Sequence, residues 1–94
     1  SVGLENAAMS HPAVAEAGVI GEPNDYWGEV VLAYVALREG HAATAEELVS
    51  FSRQHLAEYK CPERVLFLAG LPKGITGKVQ RRALKELRAQ AAAN

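Results

Sequence analysis

A lysine that follows a glycine-rich stretch is the residue of this sequence best suited to chemistry. Residues 71–82 read Leu-Pro-Lys-Gly-Ile-Thr-Gly-Lys-Val-Gln-Arg-Arg, and the lysine is Lys78. We predict a glycine loop, then a helix from about Lys78 to Gln90 with the lysine in its first turn. Helix N-termini carry unpaired amides that favour anions, and Thr76 is placed to cap this one. The stretch therefore suits one ammonium brought against a phosphate or a carboxylate.

Two other interpretations of this lysine have to be weighed. The spacing is not that of a Walker A loop, because Val79 stands where that motif needs Ser or Thr. A lysine in the first turn of a helix is, in most proteins, simply solvated. Residue types alone leave the anion site and the solvated lysine as alternatives.

The charges are unevenly distributed along the chain. Residues 1–59 contain two basic and nine acidic side chains, whereas residues 60–94 contain eight basic and two acidic ones. Such polarity suggests that the C-terminal third meets an anionic partner. Alternatively, the two surfaces attract each other or face water. Nucleic-acid binding is not predicted, because the net charge is only −1 and the strands show no aromatic pairs of the RNA-binding kind.

Composition indicates a single soluble globular domain. Of 94 residues, 49% are hydrophobic and 22% are charged, enough for one modest core. The longest apolar run, Val30 to Leu37, is too short to cross a bilayer, so no transmembrane segment is predicted. The single cysteine, Cys61, fits a reducing compartment, and we expect a cytoplasmic protein. The histidines lack metal-ligand spacing, so no metal site is predicted.

Local patterns predict six elements in the order α-β-β-α-β-α. Thr44 and Glu47 form a capping box at the start of the middle helix. The apolar run from Val30 to Leu37 is typical of a strand covered on both faces. The fold class is therefore α+β, with a small three-stranded sheet made of an antiparallel hairpin and a third strand after a crossover helix, flanked by helices. The predicted ranges are helix 4–9, strand 13–21, turn 22–25, strand 30–37, a helix from 44 to a stop at 59–62, strand 64–69, loop 70–77 and helix 78–90.

Residues 72–81 resemble the last signature motif of the adenylate-forming superfamily. That family includes acyl- and aryl-CoA synthetases, peptide-synthetase adenylation domains and luciferases. Its pattern is roughly Pro-Lys/Arg-Thr-x-x-Gly-Lys-hydrophobic-x-Arg, and the lysine after glycine is the catalytic one. The matching residues are Pro72, Lys73, Gly77, Lys78, Val79 and Arg81. Gly74 departs from the pattern, where Thr or Asn is usual, which affects a loop hydrogen bond rather than the lysine.

Three further segments resemble motifs of the same family, in the same order. Residues 11–21 look like its His-Pro-Ala-Val strand, residues 25–31 like its Asp-x-x-x-Gly-Glu hairpin, and residues 59–62 like its Tyr-Lys-x-Pro turn. The resemblance covers residues 5–88. Peptide-synthetase domains tend to read Asn-Gly-Lys-Val-Asp-Arg and Tyr-Met-x-Pro at the two C-terminal motifs. This chain instead resembles a CoA ligase at both motifs, where it reads Thr-Gly-Lys-Val-Gln-Arg and Tyr-Lys-Cys-Pro.

The resemblance implies that residues 1–94 are the mobile C-terminal domain of an AMP-forming carboxylate–CoA ligase. Lys78 is then the catalytic residue, with Thr76 and Gly77 beside it at the ATP and adenylate site. After the domain rotates, Lys60 and Cys61 are implied at the CoA site. ATP, CoA and a carboxylic acid are the implied substrates, and a large N-terminal domain is the implied partner. That domain would hold Mg²⁺, while this chain alone is expected to bind no cofactor and to be inactive as a ligase.

Plainer alternatives stand beside these roles. At the Tyr-Lys-x-Pro turn, Pro62 ends a helix, Lys60 is solvated and Cys61 packs as a small hydrophobe. Trp27 and Gly28 suit hairpin structure better than ligand contact. For the whole chain, the alternative is a stand-alone, non-catalytic protein-interaction module of the same fold. Which acid is the substrate cannot be read from these residues, because the acyl pocket would lie in the large domain.

Overall fold

The structure is a computed structural model that describes residues 2–55 and 61–93. Within these residues, three helices and three strands follow one another in the predicted order α-β-β-α-β-α. The elements are α1 (Val2–Met9), β1 (Val14–Asn24), β2 (Gly28–Leu37), α2 (Ala45–His55), β3 (Arg64–Phe67) and α3 (Arg81–Ala93). The α+β prediction is confirmed.

The three strands form one mixed sheet in the order β1-β2-β3. Strands β1 and β2 form the expected antiparallel hairpin, and β3 returns parallel to β2 after α2 crosses over. The hairpin is longer than predicted, because pairing continues to Pro23 opposite Glu29 and Asn24 opposite Gly28. The turn predicted at 22–25 therefore lies at 25–27 instead. Pro23 is tolerated because β1 is an edge strand, where a missing backbone donor faces outward.

Strand β2 is covered on both faces, as its apolar run predicts. Alternate residues enter two separate hydrophobic clusters, Ala33 and Val35 on one face and Leu32 and Tyr34 on the other. The α2-side cluster contains Leu4, Ala8, Val14, Ala17, Val19, Ala33, Val35, Leu48 and Val65. The α3-side cluster contains Ile20, Leu32, Tyr34, Ala36, Leu71 and Leu84.

Helix α2 begins where the capping box predicts. The amide of Glu47 donates to Oγ1 of Thr44 at 3.1 Å, which satisfies one of the free donors of the first turn. His11 has a structural role near this helix: its Nδ1 accepts the Ala13 amide at 3.0 Å, and its ring meets Phe51 edge-on at 4.9 Å. In the described ranges, no helix is long and apolar enough to cross a membrane.

Three predicted boundaries near the C-terminus are wrong. Strand β3 ends at Phe67 rather than at residue 69, and α3 runs from Arg81 to Ala93 rather than from Lys78 to Gln90. The reason for the late helix start is that the backbone before it is already paired. The Gln80 amide donates to the Pro72 carbonyl at 2.9 Å, and Val79 pairs with Lys73 across an antiparallel bridge. Thr76 is therefore not the helix cap.

Candidate active site

Lys78 lies on a tight β-hairpin that replaces the predicted loop-to-helix junction. The Gly74 amide donates to the Lys78 carbonyl at 2.9 Å, and the Gly77 amide donates to the Gly74 carbonyl at 3.0 Å. Together with the bridge at the base, this is the pattern of a three-residue hairpin loop closed by a G1 bulge. The backbone of Lys78 is thus hydrogen-bonded into a turn of defined geometry.

Gly77 is the residue that this geometry requires. Its φ is +82°, in the left-handed region that side chains with a Cβ rarely adopt. An added Cβ would meet no atom within 4 Å, so the constraint is conformational and not steric crowding. Gly74 has no such positive φ, and a Cβ there would meet only the end of the flexible Gln80 side chain, at 2.9 Å. The departure from the family pattern at Gly74 is therefore a minor one.

The side chain of Lys78 is exposed, and no hydrogen bond or ion pair joins it to any other residue that the structure describes. It lies three residues before α3, so it is not part of the helix N-terminus and the predicted support from first-turn amides is wrong. Thr76 and Gly77 are exposed beside it at the hairpin tip, so the structure does bring these three predicted residues together.

The two cations of the motif that flank Lys78 are paired with acidic residues from the N-terminal half. Lys73 Nζ lies 2.5 Å from Glu16 Oε2, and Arg81 Nη2 lies 3.1 Å from Glu5 Oε2. A third pair joins Arg88 on α3 to Glu22 at 3.0 Å. The alternative that the oppositely charged parts of the chain attract each other is thus correct for these three pairs. Arg82 and Lys85 resemble Lys78 in having no ion pair within the described ranges.

The hairpin packs on the α3 side of the sheet through Val79. That residue is half-buried against the α3-side cluster. Opposite it stands Gly18 of β1, where a Cβ would lie 2.9 Å from Cγ1 of Val79 and 2.7 Å from Cδ1 of Leu84. Only glycine permits this close approach of the hairpin and α3 to the strand. Sequence reasoning missed Gly18, whose only signal was a glycine inside a predicted strand.

The second predicted site lies elsewhere in the domain. Cys61 is half-buried and lines an open groove of about 640 Å³ together with Trp27, Arg53 and Pro62. Trp27 keeps 68% of its surface exposed. Arg53 belongs to α2, which covers the face of the sheet opposite the Lys78 hairpin. Lys60 lies outside the described residues, and the contributions of Trp27 and Arg53 were not predicted.

Within residues 2–55 and 61–93, no group of three or more His, Cys, Asp or Glu side chains is arranged to hold a metal ion. Glu5 and Glu16, which contact the motif around Lys78, are engaged with Arg81 and Lys73.

Comparison with known proteins decides the family. A family model described as the AMP-binding enzyme C-terminal domain matches residues 3–78, so the match runs through Lys78. This chain belongs to that family. The matched residues of this AMP-binding C-terminal domain include the whole mixed sheet, Gly77 and Lys78.

The relatives of this AMP-binding C-terminal domain include CoA ligases. It is 44% identical over 91 residues to oxalate–CoA ligase of Saccharomyces cerevisiae, which covers 97% of this chain and 17% of that protein. It is 44% identical over 84 residues to a 2-succinylbenzoate–CoA ligase of Bacillus cereus, covering 89% of this chain and 17% of that protein. The crystal structure of an acyl-CoA synthetase from Brucella canis matches with a TM-score of 0.88 and 36% identity, over 97% of this chain and 17% of that one. The chain thus spans about one sixth of the length of these proteins.

Proposed function

We propose that this domain is the mobile C-terminal lid of an ATP-dependent carboxylate–CoA ligase and that Lys78 supplies its charge for adenylation. One observation carries the proposal. The backbone of Lys78 is held in a hydrogen-bonded hairpin, while its ammonium has no partner among the described residues. The neighbouring cations Lys73 and Arg81 are both paired, so Lys78 is the cation of this motif left available for an external anion.

The chemistry follows from where charge develops. In the first half-reaction a substrate carboxylate attacks the α-phosphate of ATP, and pyrophosphate leaves. Negative charge crowds between the attacking oxygen and the phosphate oxygens, and a fixed ammonium stabilises it more than water does. Interactions of this type change rates by about 10² to 10³. Lys78 would contribute this interaction, with the backbone of Thr76 and Gly77 beside the adenylate.

The magnesium ion that accompanies ATP is assigned to the large N-terminal domain. The described residues of this chain offer no set of three or more metal-binding side chains, and the carboxylates of Glu5 and Glu16 are paired with cations. In this proposal the chain contributes cationic and backbone contacts to the adenylation site.

The second half-reaction would use the other face of the domain. Once the acyl-adenylate has formed, rotation of the domain withdraws Lys78 and presents the groove that Cys61 and Trp27 line. Domain rotations about a hinge are a common way to complete one site and open another. The pantetheine arm of CoA is the proposed occupant, with Cys61 beside it. Lys60, the other residue predicted for the CoA site, lies outside the described residues. Because Lys78 and the groove lie on different faces of the sheet, one domain can serve both steps.

The test separates the two half-reactions in the full-length enzyme. Lys78→Ala is expected to lower carboxylate-dependent ATP–pyrophosphate exchange by about two orders of magnitude or more. Formation of thioester from a supplied acyl-adenylate should change little. The matched control is Lys85→Ala, which removes another exposed cation without an ion pair in the described ranges and should leave both steps near normal. Equal loss of both steps in Lys78→Ala would refute the assignment.

A further inference from the structure

We infer that Glu5 and Glu16 are positioning residues for adenylation, because they hold the two ends of the Lys78 hairpin against the rest of the domain. This inference rests on the proposed role of Lys78. Neither carboxylate is part of the hairpin. Glu16 comes from β1 and Glu5 from α1, and each contacts a different end of residues 71–81.

Glu16 holds the first strand of the hairpin with both of its carboxylate oxygens. Oε2 pairs with Lys73 Nζ at 2.5 Å, and Oε1 lies 3.5 Å from the Leu71 amide. Lys73 Nζ also donates to the Leu71 carbonyl at 3.3 Å. The ammonium of Lys73 is therefore engaged by Glu16 and by the Leu71 carbonyl.

A bulge in β1 is what brings Glu16 to this face. Pairing shifts between Val14 and Glu16, so Val14 faces Leu37 whereas Glu16 faces Ala36. Val14 belongs to the α2-side cluster, and Ala36 belongs to the α3-side cluster. Without the extra residue, Glu16 would lie on the same face as Val14, because side chains alternate along a strand. Bulges that re-aim a side chain are common next to active sites.

Glu5 holds the other end of the hairpin at the point where α3 begins. Its Oε2 accepts from Nη2 and Nε of Arg81 at 3.1 and 3.3 Å. The same oxygen accepts the amide of Val19 at 3.0 Å. Val19 lies on the edge strand β1, so one carboxylate joins α1, the sheet edge and the first residue of α3, which directly follows the hairpin.

These contacts are better suited to orientation than to stability. Side-chain exposure is 24% for Glu16 and 42% for Lys73, and 23% for Glu5 and 50% for Arg81. Ion pairs this exposed contribute little to the free energy of folding. Catalytic geometry is far more sensitive, since a displacement of about 1 Å can cost about a hundredfold in rate. Loss of either carboxylate should therefore affect the step that uses Lys78 well before it affects the fold.

The experiment compares Glu5→Gln and Glu16→Gln with a matched control in the full-length enzyme. Glu22→Gln is the control, because it removes the carboxylate of a similar pair, with Arg88, that does not touch the hairpin. Each test variant should lower kcat of pyrophosphate exchange by about 5- to 20-fold, with KM for ATP within about twofold. Thioester formation from supplied acyl-adenylate and the thermal midpoint should match the control.

A charge-reversed pair tests whether the ion pair itself is what matters. Glu16→Lys combined with Lys73→Glu should recover much of the exchange rate that Glu16→Gln loses. Failure to recover would mean that the Glu16–Lys73 ion pair does not position the hairpin, and it would overturn the assignment for Glu16. Test variants that behave like Glu22→Gln, or that lose both half-reactions together with thermal stability, would overturn the inference. Lys78→Ala, measured in the same series, separates the two claims. If it abolishes exchange, the proposed function stands even where the inference about Glu5 and Glu16 fails. If it is active, the proposed function itself fails.

Discussion

Gly18 and Val79 lie so close together that a Cβ on Gly18 would not fit between them. A Cβ on Gly18 would stand 2.9 Å from Cγ1 of Val79, a distance that real Cβ contacts essentially never show. Val79 directly follows Lys78 and is half-buried against the α3-side cluster. The height of the hairpin above the sheet is therefore set by the absence of a side chain on β1.

Gly18→Ala should destabilise the domain and slow adenylation. The new methyl group has to displace the buried Leu84 and the half-buried Val79, and overpacking of this kind costs about 1–3 kcal/mol. Urea unfolding measures the first effect and pyrophosphate exchange the second. Gly3→Ala is the control, because Gly3 lies in α1 with nothing within 4 Å of its Cβ position. It should be neutral or slightly stabilising; equal losses in the two variants would contradict the packing argument.

Gly77→Ala should impair the hairpin through its backbone alone. Alanine at φ +82° costs about 1–2 kcal/mol, and the hairpin relieves that strain by changing the turn that carries Lys78. We expect pyrophosphate exchange to fall about tenfold or more, because the ammonium is displaced. Gly74→Thr is the matched change in the same loop, and it should retain most activity because its new side chain meets only the flexible end of Gln80. A reversed order of effects would refute the G1-bulge interpretation.

Trp27→Ala should weaken CoA use without affecting adenylation. Trp27 lines the groove beside Cys61, and its large exposed ring offers a surface for a partly apolar ligand. The expected result is a several-fold increase in KM for CoA with unchanged pyrophosphate exchange. Tyr26→Ala provides the comparison, because Tyr26 does not line the groove and affects it only through its edge-on contact with the Trp27 ring at 4.7 Å, so the increase in KM for CoA should be smaller. If both variants have the same KM for CoA as the wild type, the groove is not the CoA site.

The domain produced by itself should unfold cooperatively. Its two hydrophobic clusters close between elements of this chain, and domains of this size have stabilities of roughly 3–8 kcal/mol. Leu84→Ala should cost about 2–5 kcal/mol, because Leu84 is fully buried. Leu87→Ala, on the same helix but 38% exposed, should cost less than about 1 kcal/mol. Circular dichroism in urea is the appropriate probe, since Trp27 is too exposed to report on the core; a gradual, non-cooperative melt would contradict the expectation.

The same isolated domain should show no ligase activity and only weak ligand binding. Lys78 is a single exposed cation and the groove at Cys61 is open, so each site would need walls from the large domain. Calorimetric titration with ATP and with CoA should give dissociation constants above about 1 mM, which corresponds to roughly −4 kcal/mol or weaker. Micromolar affinity for either ligand would show that this chain forms a complete site.

The sequence by itself determined the features that depend on neighbouring residues. The apolar run of β2 predicted a strand covered on both faces, and Thr44 predicted the start of α2, because both signals are local. The order of all six elements followed in the same way. Lys78 itself was identified by its resemblance to a family motif, and its catalytic role stays a prediction.

The tertiary structure decided how that lysine is held. Residues 78–80 have a pattern compatible with the first turn of a helix, but backbone pairing with residues 72–74 is available only once the chain has folded back, and it delays the helix to Arg81. Glu5 and Arg81 are 76 positions apart, so no local pattern connects them. The close approach over Gly18 and the bulge that turns Glu16 toward Lys73 likewise depend on which surfaces meet. Contacts of this kind arise from packing between distant segments, and only the folded chain specifies them.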